Sequence, residues 1–377
     1  MRLRLGLTTA VVVSSRDAAR EAFPRHNWGL SSRAVPDVLR TAGNYERSMI
    51  WLPASDPRWK ALRGVAAAHV LSPRSLAAAR GVRERKARGL VGYFRRRAGQ
   101  EVDVGQAVFG GVLNLVSSAL FSVDVVDDVG AESARGLREL VEEIVDGIAK
   151  PNVSDLFPFL RPLDLQGWRR WTARRLHSLF QILDGLVDRR LSDDGASTPA
   201  ASSEGTQGGD FLDALLQLLS AGKITRDNVM AIMFDVFVGG SDTTAITVEW
   251  AMAELLRNPS AMAKVQEEIQ GSLGSKESVE EHDALSLPYL QAVVKEAMRL
   301  HAVSPLFLRR ATEEGVEIGG YAVPKGCTVI FLAWSYSLLG RSCETRRRGR
   351  GRTSSSRSGS WTGGGDGLQR EGVTDYL

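Results

Sequence analysis

The rhythm of apolar and polar positions changes along this chain. Residues 2–13 first alternate ("RLRLG") and then become β-branched ("TAVVVSS"), which predicts two short strands. "RDAAREAF" follows as a helix, with Ser14 and Asp17 spaced as a capping box. From about residue 56 the apolar positions recur at helical spacing. Asp56-Pro57 and Ser72-Pro73 provide N-cap and first-turn pairs. "WRRWTARRLHSLFQILDGLVDRRL" reads as a long amphipathic helix. A second long helix over about 225–257 starts at the N-cap Thr225. It places Val229, Ile232, Met233, Val236, Phe237 and Gly240 on one face, continued by Thr243 and Thr247. A helix over about 287–301 carries the stripe Leu290, Val293, Val294, Ala297 and Met298. "VEIGGY" then predicts a hairpin around a glycine turn, and "TVIFLAW" a buried strand. The fold class is mainly α with small β-sheets at both ends (α+β). It forms one unit over 1–344 with a flexible loop at 195–209 ("GASTPAASSEGTQGG").

The pattern stops after Thr345. Only five of the last 33 residues are apolar, so segment 345–377 cannot offset its ordering entropy and is expected to be a disordered tail. This changes the meaning of the charge. The tail holds seven Arg against three acidic residues and carries the whole net charge of +4. The rest is neutral, so the basic balance gives no nucleic-acid face on the fold. Two cysteines, Cys327 and Cys343, build neither a disulfide framework nor a Cys-type zinc site, and the five histidines form no ligand pair. Nothing resembles a signal peptide, and the apolar runs fall short of the roughly 20 residues of a membrane helix. The chain as written is therefore expected not to be an integral membrane protein.

Three stretches bear on chemistry. In "FVGGSDTTAITVEW" the long helix carries Gly239 and Gly240, each costing about 1 kcal/mol relative to Ala. Hydroxyls follow that can bond back to carbonyls and loosen the ladder. One reading is a local widening with a groove that seats a small ligand beside Asp242 and Thr243; the plainer one is a close helix–helix contact. In "KEAMRLH", Glu296 and Arg299 lie off the apolar stripe, and spacing alone reads them as a surface ion pair. In "DPRWKALRG", Trp59 and Arg63 share a helix face, where Arg63 could hold a carboxylate screened by Trp59. Taken alone, the stretch reads as an ordinary amphipathic helix.

In this order the three resemble the cytochrome P450 family. "GGSDTT" is similar to its (A/G)Gx(D/E)T(T/S) motif, "EAMR" to its ExxR, and "WKALR" to its WxxxR. "HAVSPLF" and "VEIGGYAVPKGCTVI" follow in family order. The texture resembles plant microsomal enzymes, and "PNVSDLFPFLRPLDLQGWRRW" the group containing geraniol hydroxylases and terpenoid oxidases. The resemblance implies the P450-like helical fold and a haem cofactor. Gly239 and Gly240 would widen the helix over the haem. Asp242 and Thr243 would relay protons for O–O cleavage. Glu296 and Arg299 would form a buried structural pair. Trp59 and Arg63 would contact a haem propionate together with Arg309 or Arg310. Phe234, Val238, Leu306 and Phe307 would line a pocket for a small lipophilic substrate. The implied partner is NADPH-cytochrome P450 reductase, and the implied location is the cytosolic face of the endoplasmic-reticulum membrane.

Parts of the family pattern are not found. The haem iron is expected on a Cys thiolate in an FxxGxRxCxG loop, and no such loop occurs in these 377 residues. Cys327 sits in "PKGCTVIF" at a strand start, and Cys343 in "GRSCET". The PERF segment and the N-terminal anchor are absent too. The expectation is therefore a truncated or frame-shifted P450 with no protein ligand to the metal. It would be inactive as written and cytoplasmic without its anchor. A haem-free binding remnant and an RNA-binding protein using "RRRGRGR" are the alternative readings.

Overall fold

The computed structural model describes residues 1–40, 44–127, 129–130, 132–195, 210–274, 276 and 279–333. The tail at 345–377, Cys343 and all but Gly195 of the loop at 195–209 lie outside the described residues. The strands are β1 (Arg2–Leu5), β2 (Thr8–Val13), β3 (Leu306–Arg310), β4 (Glu317–Ile318), β5 (Tyr321–Ala322) and β6 (Thr328–Leu332). The helices are α1 (Arg16–Arg25), α2 (Asp37–Arg40), α3 (Pro57–His69), α4 (Pro73–Ala78), α5 (Arg80–Arg96), α6 (Val104–Phe121) and α7 (Glu132–Ala149). They continue with α8 (Val153–Leu156), α9 (Trp168–Gly195), α10 (Phe211–Ser220), α11 (Arg226–Arg257), α12 (Pro259–Leu273), α13 (Glu281–Leu285) and α14 (Pro288–Leu300).

Local chemistry sets the helix starts. Asp56 accepts from the Arg58 amide ahead of Pro57, and Ser72 from the Ser75 amide ahead of Pro73, as the sequence predicts. Thr225 and Asn228 cap α11 reciprocally. At α1 the cap is Ser15, which accepts from the Ala18 amide, and not Ser14. The expected hairpin forms as β4–β5. Its turn residues Gly319 and Gly320 have φ of 57° and 80°, a conformation that favours glycine.

Strands from the two ends of the chain meet in one four-stranded sheet, and β4–β5 is a separate two-stranded one. β6 pairs in parallel with β2 (Val11 opposite Val329) and antiparallel with β3 (Phe307 opposite Phe331), giving the order β1-β2-β6-β3. A small core lies against this sheet, where Phe23 of α1 stacks on Phe331 at 4.7 Å between centroids. Cys327 is buried in it. The larger core is helical. α11 runs through it against α6, α9 and α10, with Phe237 against Phe121 and Phe234 against Phe180.

Two of the described helices, α6 and α11, are long and apolar enough by composition to cross a membrane. Most of each apolar window (72% and 61%) is buried against the rest of the chain, as a core helix requires. The stripe on α14 is only half covered: Val293 and Ala297 are buried, whereas Val294 and Met298 are exposed.

Candidate functional site

A cavity of about 680 Å³ opens between the two cores. One wall is α11, where Val236, Gly239, Gly240 and Thr243 follow one another at i, i+3, i+4 and i+7. The facing wall is α6, with Leu115, Val116, Ala119 and Leu120. Met49 and Ile50 come from the segment ahead of α3. Phe307 and Arg309 come from β3, whose alternation turns Leu306, Leu308 and Arg310 elsewhere. Four arginines, Arg33, Arg63, Arg83 and Arg309, line the space together with His69.

The backbone of α11 is regular α-helix through Gly239 and Gly240. The expected widening is not in its hydrogen-bond pattern. The glycines make room in another way, by presenting no side chain. A Cβ on Gly239 would meet nothing within 4 Å, and one on Gly240 would meet only Val116 at 3.5 Å. The hydroxyls do bond back as the sequence predicts. Ser241 donates to the Phe237 carbonyl at 2.6 Å, Thr243 to Gly239 at 2.7 Å and Thr244 to Gly240 at 2.8 Å.

Asp242 does not join Thr243 in the cavity. It is buried on the α7 side of the helix, near Glu142 and Arg138. Burial, and then the Glu142 charge, raise its carboxyl above the usual carboxylate range, with Arg138 opposing. Phe234 packs in the helical core on Phe180, and Val238 also packs there. Neither lines the cavity, because both lie off the face set by Gly239, Gly240 and Thr243. Leu306 is exposed. Of the four expected substrate contacts, only Phe307 lines this space. Trp59 is half-buried against the helical core on the same helix as Arg63, but it is not in the lining. Glu296 and Arg299 form a two-bond pair, both at 2.6 Å, that is half-buried and not enclosed.

Asp235 and Arg33 are charged lining residues that sequence reasoning missed. Asp235 is 3% exposed on α11, one turn before Gly239. Its carboxylate accepts from Ser48 Oγ at 2.7 and 2.9 Å and from the Ile50 amide at 3.4 Å. Burial pushes its carboxyl up to about 7, opposed by these bonds, by the nearby Met49 amide and by the Arg33 charge. Arg33 is the other. Burial first, then the neighbouring Arg309, lowers its guanidinium to about 10, with Asp235 opposing. Arg309 is lowered by burial too. Arg33 faces the Asp235 carboxylate and Arg309 donates to the Ser31 carbonyl at 3.4 Å, and an anion in the cavity would further offset their desolvation. A charge in the apolar run "AIMFDVFV" is the sequence signal that marks Asp235; "SSRAV" holds none for Arg33.

Comparison with known proteins bears on what fills this space. The family profile described as Cytochrome P450 matches residues 1–338. This chain belongs to the cytochrome P450 family. Cytochrome P450 76M5 of Oryza sativa subsp. japonica is 61% identical over 336 residues, covering 89% of this chain and 65% of that protein. Ent-cassadiene C11-alpha-hydroxylase 1 of the same plant is 54% identical, covering 89% and 66%. Geraniol 8-hydroxylase of Catharanthus roseus is 38% identical, covering 89% and 67%. This P450 chain thus spans about 65% of the length of the first of these relatives. A zebra fish cytochrome P450 solved with progesterone superposes with a TM-score of 0.71 at 22% identity over 90% of this chain and 77% of that one, which shows the fold.

The residues present fit the porphyrin end of a haem. An apolar slot backed by two glycines would take a flat ring, and the guanidiniums of Arg63, Arg309 and Arg33 would meet its carboxylates. The metal ligand is a separate matter. No Cys is in the described lining, and Cys327 lies in the sheet-side core with its thiol raised by burial. Gly239→Ala tests the role of the glycine pair. The ligand-free chain is expected to gain about 0.5–1 kcal/mol in thermal denaturation. Its uptake of haemin, followed by absorbance, is expected to weaken as the new methyl enters the slot.

Proposed function

We propose that this chain carries the haem- and substrate-holding part of a monooxygenase that hydroxylates a small lipophilic, terpenoid-like compound. The oxidant is dioxygen, and electrons come from NADPH through cytochrome P450 reductase. One observation carries the reading: the Gly239–Gly240–Thr243 face of α11 borders an apolar slot whose rim holds Arg63, Arg309 and Arg33. The guanidiniums would bind the propionates and so orient the ring. Haem, when bound, supplies the activation of dioxygen. The Thr243 hydroxyl, now on the Gly239 carbonyl, is placed to hold a proton inside the slot. Asp242 would serve from behind the helix as a store for that proton, its carboxyl raised by burial. The walls from α6 and Phe307 offer apolar contact and exclude water, which suits a hydrocarbon-rich substrate. The names of the hydroxylases similar to this chain support the substrate class.

The 377 residues contain no FxxGxRxCxG loop. A polypeptide of this sequence alone is therefore proposed to hold haem without a thiolate and to lack monooxygenase activity. The proposed place of action is the cytosolic face of the endoplasmic-reticulum membrane. A second reading, binding of a terpenoid by the haem-free chain, draws on the same apolar walls. Haemin titrated into the purified polypeptide is expected to saturate at one per chain with a shifted Soret band. A spectrum that stays that of free haemin overturns the haem reading and leaves the second.

A further inference from the structure

Asp235 connects two parts of the molecule that are 187 residues apart in sequence. Ser48 is wholly buried, and its hydroxyl donates to both oxygens of the Asp235 carboxylate. The Ile50 amide donates to Ser48 Oγ at 3.1 Å and to Asp235 at 3.4 Å. The nearby Met49 amide also favours the charged form of this carboxylate. These bonds leave the side chains of Met49 and Ile50 as part of the cavity wall. Segment 48–50 follows the short 3₁₀ turn Asn44–Glu46 and precedes α3, so it has no regular ladder of its own to fix it. A buried carboxylate is costly in an apolar wall unless such bonds hold it, and here they all come from one segment.

We propose that Asp235 is a positioning residue that clamps segment 48–50 onto α11 and thereby sets the shape of the ligand cavity. The inference rests on reading that cavity as the ligand site. Asp235 acts through Met49 and Ile50 and need not touch the ligand. Its carboxylate also faces Arg33, so the clamp sits beside the cationic rim.

The test compares Asp235→Ala, Asp235→Asn and Ser48→Ala in the full chain by two measurements. The first is backbone hydrogen exchange at residues 48–50, which needs no ligand. Asp235→Ala is expected to speed exchange there at least tenfold, whereas α6 and α9 keep their protection. Asp235→Asn keeps an acceptor for the Ile50 amide and a donor for Ser48 Oγ, and is expected to restore protection to within about threefold of the parent. The second measurement is haemin affinity. Asp235→Ala is expected to weaken it about tenfold, Ser48→Ala by a similar factor, and the double variant by no more than Asp235→Ala alone, since the two residues form one unit. Unchanged exchange at 48–50 in Asp235→Ala and Ser48→Ala overturns the clamp. So does an Asn variant as open as the Ala variant. If the parent chain takes up no haemin, the proposed haem function fails, and the exchange measurement still decides the clamp. Should Asp235→Ala not fold, Ser48→Ala with Asp235→Asn carries the same comparison.

Discussion

Arg309→Met is expected to make the ligand-free chain more stable and a poorer binder of haemin. Arg309 and Arg33 are both half-buried beside the cavity, and both guanidiniums are lowered by burial. Arg33 is lowered further by the charge of Arg309. Without a bound anion the pair therefore carries a desolvation cost and a mutual repulsion, opposed by Asp235 beside Arg33 and by the Ser31 carbonyl, which accepts from Arg309 at 3.4 Å. A methionine of similar length keeps the packing volume and removes one charge. Replacing a poorly compensated buried charge in this way is worth about 1–3 kcal/mol. The same change removes a charge-assisted bond to a propionate, which is expected to weaken haemin binding about 10- to 100-fold. Thermal denaturation without ligand and an absorbance titration read the two effects separately. A destabilised ligand-free variant would show that the two arginines are satisfied within the chain and are not waiting for an anion. The trade of stability for binding is what a preformed site produces.

The second large effect is a pH dependence of stability. The Asp235 carboxyl is raised from 3.8 to about 7, chiefly by burial. Between these values the folded chain holds a proton that the unfolded chain has released. Stability should therefore fall as pH rises through this window and level off above it. The window spans about 3 pH units at 1.36 kcal/mol each, which bounds the effect at about 4 kcal/mol. Asp155 and Asp242 are raised in the same direction, so the slope of the parent alone does not isolate Asp235. Asp235→Asn does. It remains neutral throughout, and denaturant midpoints measured from pH 4 to 8 are expected to show a shallower fall than in the parent. Equal slopes in the two proteins would place the titration elsewhere.

What could be read from the sequence was local. The caps at Asp56, Ser72 and Thr225, the helical phase of α11 and the glycine turn at 319–320 all depend on residues a few positions apart. The joining of both ends in one four-stranded sheet was not legible, because β2 and β6 are separated by more than 300 residues and either strand alone satisfies the same pattern. The site shows the same division. Gly239, Gly240 and Thr243 share a face by arithmetic, and the cavity lies on it. Phe234 and Val238 were assigned to the pocket by family likeness against their helical phase, and the structure follows the phase. Family likeness assigns Asp242 and Thr243 to one proton relay. Adjacent helical residues point about 100° apart, and these two reach different neighbours. Arg33 became visible only once folding brought it beside Arg309.

The most direct test of the account is the reduced CO difference spectrum of the 377-residue polypeptide after loading with haemin. Binding along Gly239–Gly240 under the arginine rim, without a thiolate, predicts a CO complex with the Soret position of a haem that has no thiolate ligand. A full thiolate-type Soret band from the same sample would contradict it.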